Sequence, residues 1–147
     1  MKRRSRLSVL IRLARLNENR ALHRLGEARS LAESTRSSLQ SLEGQIDSTW
    51  AGSVLARAGQ LDAGGLASND QRTRGLGLQA DALKETLTSA REAEENARAA
   101  VVDAKLRLRT LRSAAAKREA QERQLQRRAE IRRMDESRRG MRSDEDS

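Results

Sequence analysis

Residues 76–115 of this chain read LGLQADALKETLTSAREAEENARAAVVDAKLRLRTLRSAA and contain its clearest repeat. Alternating steps of four and three residues through this stretch meet an apolar side chain at every position except Glu94. This heptad repeat places the apolar side chains along one side of a helix, where a second helix can cover them. We call such a row of positions a seam. The second seam consists of Leu76, Ala80, Leu83, Leu87, Ala90, Glu94, Ala97, Val101, Ala104, Leu108, Leu111 and Ala115.

A matching repeat occupies the first third of the chain. Ten of its twelve positions are apolar, and the exceptions are Glu18 and Thr35. The first seam consists of Leu7, Ile11, Ala14, Glu18, Ala21, Leu25, Ala28, Ala32, Thr35, Leu39, Leu42 and Ile46. The two seams predict two long helices, over about residues 5–50 and 72–138, because two helices of this kind cover each other's apolar sides.

Glycine is concentrated between the two repeats. Six of the nine glycines lie in residues 51–77, where strong periodic positions are few, so the chain is expected to reverse there. We predict a Gly-rich connector over about residues 51–71, with the turn near Gly64-Gly65. Ser68 or Asn69 could cap the returning helix.

A reversal near residue 63 aligns the seams so that small residues face small ones. Ala28 then meets Ala97, and Leu42 meets Leu83, which favours an antiparallel pair in this register. The second helix outlasts its partner, so residues 119–139 should continue as an unaccompanied basic helix until Gly140, before an acidic tail at 143–147. The predicted fold is all-α: one elongated coiled-coil domain over residues 1–147, an antiparallel hairpin with a C-terminal helical overhang.

Positive charge is concentrated at the two ends of the chain. Residues 1–25 carry eight Lys or Arg and one acid, residues 117–142 carry ten and five, and residues 26–116 balance at twelve each. A hairpin brings both ends together. The net charge is +9, and its concentration at the two ends predicts a basic end that docks on a partner, while the rest of the hairpin, residues 26–116, is neutral.

The residue types argue against catalysis and against a membrane span. His23 is the only histidine and there is no cysteine, so the chain lacks the side chains for a His/Cys zinc site or a Cys-His pair. No apolar run reaches about 18 residues, and Arg12 and Arg15 interrupt the apolar stretch that a secretory signal would need. We expect a cytoplasmic, non-enzymatic protein with no cofactor, no metal and no small-molecule substrate.

Arginine-rich helices bind nucleic acid, anionic lipid or acidic protein surfaces, or only keep a protein soluble. Nucleic-acid binding would gain from aromatic side chains, and the only one, Trp50, lies at the other end of the hairpin. Lipid binding would use the apolar side chains of residues 7–13, which the seam also needs. We therefore expect a protein partner. The alternatives are a basic helical nucleic-acid-binding protein and a generic homo-oligomeric coiled coil.

Trp50 has two interpretations at this stage. It could be a plug that closes the hairpin core beside Ile46, or an exposed anchor for a partner, since tryptophan is enriched at binding hot spots.

Both ends of the chain resemble one known family. The residues RLSVLIRL at 6–13, followed by Glu18 and Ala21, are similar to the opening of the FliJ/YscO family. These are the central stalk proteins of the ATPases that serve flagellar and related type III export. The residues RRAEIRRMDE at 127–136 are similar to that family's basic C-terminal helix. The length and the two-helix layout agree as well, so the resemblance covers nearly the whole chain.

The resemblance implies a non-enzymatic stalk and escort protein of flagellar, or type III, protein export, similar to the γ subunit of rotary ATPases. Its paired ends would enter a hexameric export ATPase, and the rest would contact the export gate at the cytoplasmic face of the inner membrane. Export chaperones are further candidate partners. The residues implied for the ATPase are Arg3, Arg4, Arg6, Arg12, Arg15, Arg127, Arg128, Arg132 and Arg133. Those assigned to the gate are Leu39, Leu42, Ile46, Trp50, Leu76 and Leu83.

Overall fold

The described part of the chain consists almost entirely of two long α-helices. The computed structural model describes residues 2–59 and 63–146, with side-chain surroundings for 6–54, 59 and 64–146. Helix α1 spans Lys2–Gly59 and helix α2 spans Ala63–Glu145. The helices pack against each other, and the described residues contain no strand. The predicted all-α helical hairpin is confirmed.

Side-chain burial follows the two predicted seams. All twelve positions of each seam are buried or half-buried, while nearly every residue between those positions is exposed. The most enclosed seam residues include Ala14, Ala80, Ala90 and Leu108, each 4% exposed. The period of burial is therefore that of a coiled-coil pair, with one side of each helix covered by the other.

The core between the helices is thin. Its central cluster is formed by Leu39, Leu42, Ala80 and Leu87, against which Ile46, Leu76 and Leu83 pack. No described side chain is completely enclosed. Because a two-helix pair has only one layer of contacts, each seam residue supplies a large share of the apolar burial that holds the hairpin together.

One carboxylate interrupts the seam of α2 and is neutralised from both helices. The side chain of Glu94 is only 22% exposed. Its Oε1 lies 3.1 Å from Arg98 Nη2 on α2 and 3.5 Å from Arg29 Nε on α1. Burying a lone carboxylate would be costly, and the two guanidinium groups offset that cost. Arg29 follows Ala28 and Glu94 precedes Ala97 by three residues, so this ion pair agrees with the predicted alignment of the helices.

Packing divides the chain into two units, and both helices contribute to each. The terminal unit comprises Met1–Glu18 and Ala104–Ser147, and the hairpin unit comprises Asn19–Asp103. The central cluster and the pair between Arg29 and Glu94 belong to the hairpin unit. Ala14 and Leu108 are the buried apolar residues of the terminal unit.

The Gly-rich connector predicted over residues 51–71 is wrong, because α1 extends to Gly59 and α2 begins at Ala63. The seams continue through this region with small and polar side chains, which a search for apolar periodicity overlooks. Thr49, Asn69 and Thr73 are half-buried, and Ser53 is buried at 8% exposure. Glycine costs a helix about 1 kcal/mol relative to alanine but does not forbid it, and the chain has no proline.

The turn predicted at Gly64-Gly65 and the cap predicted at Ser68 or Asn69 are wrong for the same reason. All four residues lie inside α2. The carbonyl of Asn69 accepts a hydrogen bond from Thr73 Oγ1 at 2.9 Å, as it would within a helix. A Cβ built at Gly64 meets no other atom, and its backbone is not left-handed, so this position has no turn that requires glycine.

The second helix also ends later than predicted. Gly140 does not terminate α2, which continues into the acidic segment and ends at Glu145. Ser143 Oγ donates a hydrogen bond to the Gly140 carbonyl at 2.9 Å, and the Asp146 amide donates to the Arg142 carbonyl at 3.3 Å. The second of these bonds satisfies one of the last four carbonyl groups of α2, which lack partners within the helix.

We expect Leu25→Asp to lower the free energy of unfolding by about 3 kcal/mol or more, because an unpaired charge replaces a buried seam side chain. Thermal or urea unfolding followed by circular dichroism measures this. The control is Leu31→Asp, the same change at a position that is 55% exposed, which should stay within about 0.5 kcal/mol. Equal losses at the two positions would contradict the assigned seam.

Gly52 tests whether the predicted connector is helical. It is exposed within α1 and a Cβ there meets nothing within 4 Å. Gly52→Ala should raise the free energy of unfolding by about 0.5–1 kcal/mol, and Gly52→Pro should lower it by about 3 kcal/mol. Urea unfolding of both variants gives the comparison. A proline variant as stable as the parent would show that residue 52 lies in a loop.

Candidate partner-binding site at the paired termini

Charge divides sharply between the two units. The terminal unit carries twenty Lys or Arg and nine Asp or Glu, a formal net charge of +11, while the hairpin unit carries ten and twelve, a net of −2. The whole positive excess of the chain thus belongs to the unit in which the start of α1 packs against the second half of α2. A field of one sign over one part of a protein attracts partners of the opposite sign.

The arginines predicted to face a partner are on the surface of this unit. Arg6, Arg12 and Arg15 are exposed on α1, and Arg127, Arg128, Arg132 and Arg133 are exposed on α2. None of these seven forms an ion pair with another described residue. The side chains of Arg3 and Arg4 lie outside the described residues. Exposed guanidinium groups without internal partners are available to bind carboxylates.

The two sets of arginines do not lie side by side. Glu122 is the last half-buried residue of α2, and every described residue from 123 to 146 is exposed. This segment, which we call the overhang, contains the four arginines from Arg127 to Arg133. Residues 123–145 extend about 35 Å at 1.5 Å per residue. The basic site therefore has two parts. Arg6, Arg12 and Arg15 lie where α1 is paired with α2, and the overhang is the single helix that continues beyond the start of α1.

A groove lies where α1 begins and α2 continues alone. It has a volume of about 380 Å³. Leu7, Ile11, Ala115 and Leu125 give it an apolar floor. Its polar lining consists of Ser8, Arg118, Glu119, Gln121 and Glu122. The groove combines apolar surface with both signs of charge, which suits contact with a protein side chain.

A second set of apolar side chains on α1 faces outward. Val9, Leu10, Leu13 and Leu16 are each about half exposed, between 48% and 51%. The apolar residues of 7–13 are predicted from the sequence to serve the seam, but only Leu7 and Ile11 among them are half-buried. The signal that distinguishes the two sets is helical phase, because positions 9, 13 and 16 fall opposite the seam.

The residues assigned to the export gate lie mostly inside the hairpin unit. Leu39 and Leu42 are buried, and Ile46, Leu76 and Leu83 are half-buried against them, so these five expose little surface while the helices are paired. Trp50 is different, with 56% of its surface exposed. Its interpretation as a plug is wrong, because the seam passes through Thr49 and Ser53 and leaves the indole outside.

The remaining chemical candidates are surface residues. His23 Nε2 lies 3.1 Å from Glu27 Oε1, one helical turn away, and both side chains are more than two-thirds exposed. Within residues 2–59 and 63–146 no cluster of His, Cys, Asp or Glu could hold a metal ion. Over the same residues, neither helix has an apolar window long enough to cross a membrane.

The fold and the site define an α-helical hairpin protein whose paired termini form a basic surface. The chain matches the sequence profile of the FliJ family, the flagellar FliJ protein, over residues 1–145. This match covers essentially the whole chain, so the chain belongs to the FliJ family and the resemblance is confirmed. The family consists of non-enzymatic components of flagellar protein export. No curated protein and no solved structure matches the chain.

Proposed function

We propose that this protein is the stalk and escort component of a flagellar type III export apparatus, peripheral at the cytoplasmic face of the inner membrane. The terminal unit docks in the centre of a hexameric export ATPase, and the hairpin unit contacts the export gate. The observation that supports this most strongly is the division of charge, +11 in the terminal unit against −2 in the hairpin unit. Membership of the FliJ family supplies the export context.

The overhang gives the docking end a shape that fits a narrow opening. A single helix is about 10–12 Å across with its side chains, so residues 123–145 can enter where two paired helices cannot. Arg6, Arg12 and Arg15 on α1 and the arginines of the overhang would then meet acidic side chains of the ring. If the stalk binds the closed hexamer more tightly than open or partial rings, it favours assembly and raises hydrolysis without contributing a catalytic group.

Trp50 is the best-placed residue for the contact with the export gate. Val54 follows it by one helical turn and is 50% exposed, so the two side chains lie on the same side of α1. An exposed tryptophan beside an aliphatic residue is a common anchor of protein interfaces. Export chaperones are further candidate partners of the hairpin unit.

Charge reversal tests the docking end. We expect Arg12→Glu with Arg15→Glu, or Arg128→Glu with Arg132→Glu, to weaken binding to the export ATPase roughly ten-fold or more, with a parallel loss of stimulated hydrolysis, because attraction becomes repulsion. Helicity should survive, since all four side chains are exposed. Binding is measured by surface plasmon resonance and hydrolysis by phosphate release.

The matched control is Arg36→Glu with Arg91→Glu, two exposed arginines of the hairpin unit, and it should leave both measurements nearly unchanged. Loss of stimulation in this control with retention in both terminal variants would contradict the proposal. Strongly salt-dependent binding of the parent chain to any DNA or RNA, without binding to the ATPase, would favour a nucleic-acid-binding protein instead.

A further inference from the structure

The start of α1 has two apolar faces that point in opposite directions. Leu7, Ile11 and Ala14 form the face that packs on α2. Val9, Leu13 and Leu16 repeat at the same spacing on the other side of the helix, about 160° away by helical phase. We call these three residues the outer stripe. The seam accounts for the first face. The second is uncovered among the residues that the structure describes, because its three side chains are 51%, 51% and 48% exposed.

Arginine borders the outer stripe on both sides. By helical phase Arg12 lies about 60° to one side of Val9, and Arg6 lies about 60° to the other. Both arginines are exposed. No acidic residue precedes Glu18 in the sequence, and Glu18 belongs to the seam, on the opposite side. The outer surface of α1 is therefore apolar along its middle, and the charged residues along its two edges are all positive.

This arrangement is the pattern of a helix that lies in the interface of a membrane. Aliphatic side chains enter the boundary between headgroups and acyl chains, while arginine side chains on either side extend to the phosphates. The overhang lacks the pattern although it is also basic, because Glu130, Asp135 and Glu136 are interspersed among its arginines. The two basic segments of the terminal unit thus have different surfaces.

The aliphatic side chains of the outer stripe favour lipid over nucleic acid as the ligand. A nucleic-acid surface would reward the arginines through phosphate contacts but would leave three aliphatic side chains uncompensated. The described part of α1 near the stripe offers no aromatic side chain for stacking on bases. An anionic bilayer matches both components, its phosphates with the arginines and its acyl boundary with the aliphatic residues.

We propose that the outer stripe, with Arg6 and Arg12, is a binding site for the surface of anionic phospholipid bilayers. The stripe covers only about two helical turns, because position 20 continues it with Arg20. Binding is therefore shallow and reversible, and it requires both the aliphatic residues and the negative lipid. This site goes beyond the proposed role at the export ATPase and does not depend on it.

The test uses the full chain with vesicles and no ATPase. Parent protein should float with vesicles of phosphatidylethanolamine and phosphatidylglycerol in a 7:3 ratio, and should not float with pure phosphatidylcholine vesicles at the same lipid concentration. Replacing Val9, Leu13 and Leu16 together by Gln should weaken partitioning roughly 100-fold. Arg6→Gln with Arg12→Gln should weaken it roughly 25-fold and reduce its dependence on salt. Glutamine retains helix propensity, so the thermal melt should be nearly unchanged.

A control of the same chemistry replaces three exposed apolar residues of the hairpin unit, Leu31, Leu78 and Val102, by Gln. It should partition within two-fold of the parent. The proposal is overturned if the parent does not bind the anionic vesicles, or if the control loses as much affinity as the stripe variant. It is also overturned if the stripe variant binds the vesicles as tightly as the parent. That result would mean that attraction to phosphate alone accounts for vesicle binding, and a DNA duplex should then compete with the vesicles for the protein.

Because the ATPase is absent from this experiment, its outcome is independent of the docking proposal. Stimulation of the ATPase is measured separately with the same stripe variant. A variant that loses lipid binding and retains stimulation would separate the two sites, and parent protein that stimulates the ATPase but ignores anionic vesicles would remove the lipid site only.

Discussion

Mutual burial of one row of side chains from each helix is the interaction that positions every other feature of this protein. The chain is 35% charged and its helices have no globular core to join, so the seam is where apolar surface leaves water. The core cluster around Leu42 and Leu87 is small, and small residues such as Ala32 and Ala90 form much of the buried seam outside it. A change at one seam position therefore has few neighbouring contacts to absorb it.

The seam also sets where charge is placed. Because α2 continues past the start of α1, the terminal unit has a basic segment in which the two helices are paired, followed by the basic overhang of α2 alone. The same alignment brings Arg29 to Glu94, the one carboxylate in the seam of α2. A polar pair inside an apolar seam disfavours shifted registers, because any slip would leave Glu94 away from Arg29 while still largely enclosed. We interpret this ion pair as a contact that fixes the register of the two helices within the hairpin unit.

Much of this fold could be predicted from the sequence, because a heptad repeat indicates directly which residues a helix buries. The seam residues from Leu7 to Ile46 and from Leu76 to Ala115 are enclosed as the repeat predicts. The predicted connector over residues 51–71 is wrong because glycine content indicates only local helix propensity, whereas packing between the two helices keeps this region helical. Thr49 and Ser53 continue the seam there, and neither is apolar enough to be recognised by pattern alone.

The candidate site could be predicted only in part. The basic arginines were identifiable from charge, but their surroundings depend on helical phase and on the partner helix. Phase separates Leu13, on the surface, from Ile11, in the seam, although both looked equally apolar in sequence. The partner helix explains why Leu39 and Leu83 are core residues while Trp50 is on the surface. Sequence composition alone contains neither distinction.

The antiparallel pairing of the two helices within one chain can be tested by a disulfide between Ile11→Cys and Ala115→Cys. Both residues are half-buried and line the same groove of the terminal unit, and the natural chain has no cysteine to interfere. On mild oxidation the account predicts a disulfide within one chain, seen as a monomer of altered mobility on a non-reducing gel. Ile11→Cys with Leu106→Cys, an exposed position about two and a half turns away from Ala115, should not cross-link. Covalent dimers in place of the intrachain bond, or equal cross-linking of both pairs, would contradict the hairpin.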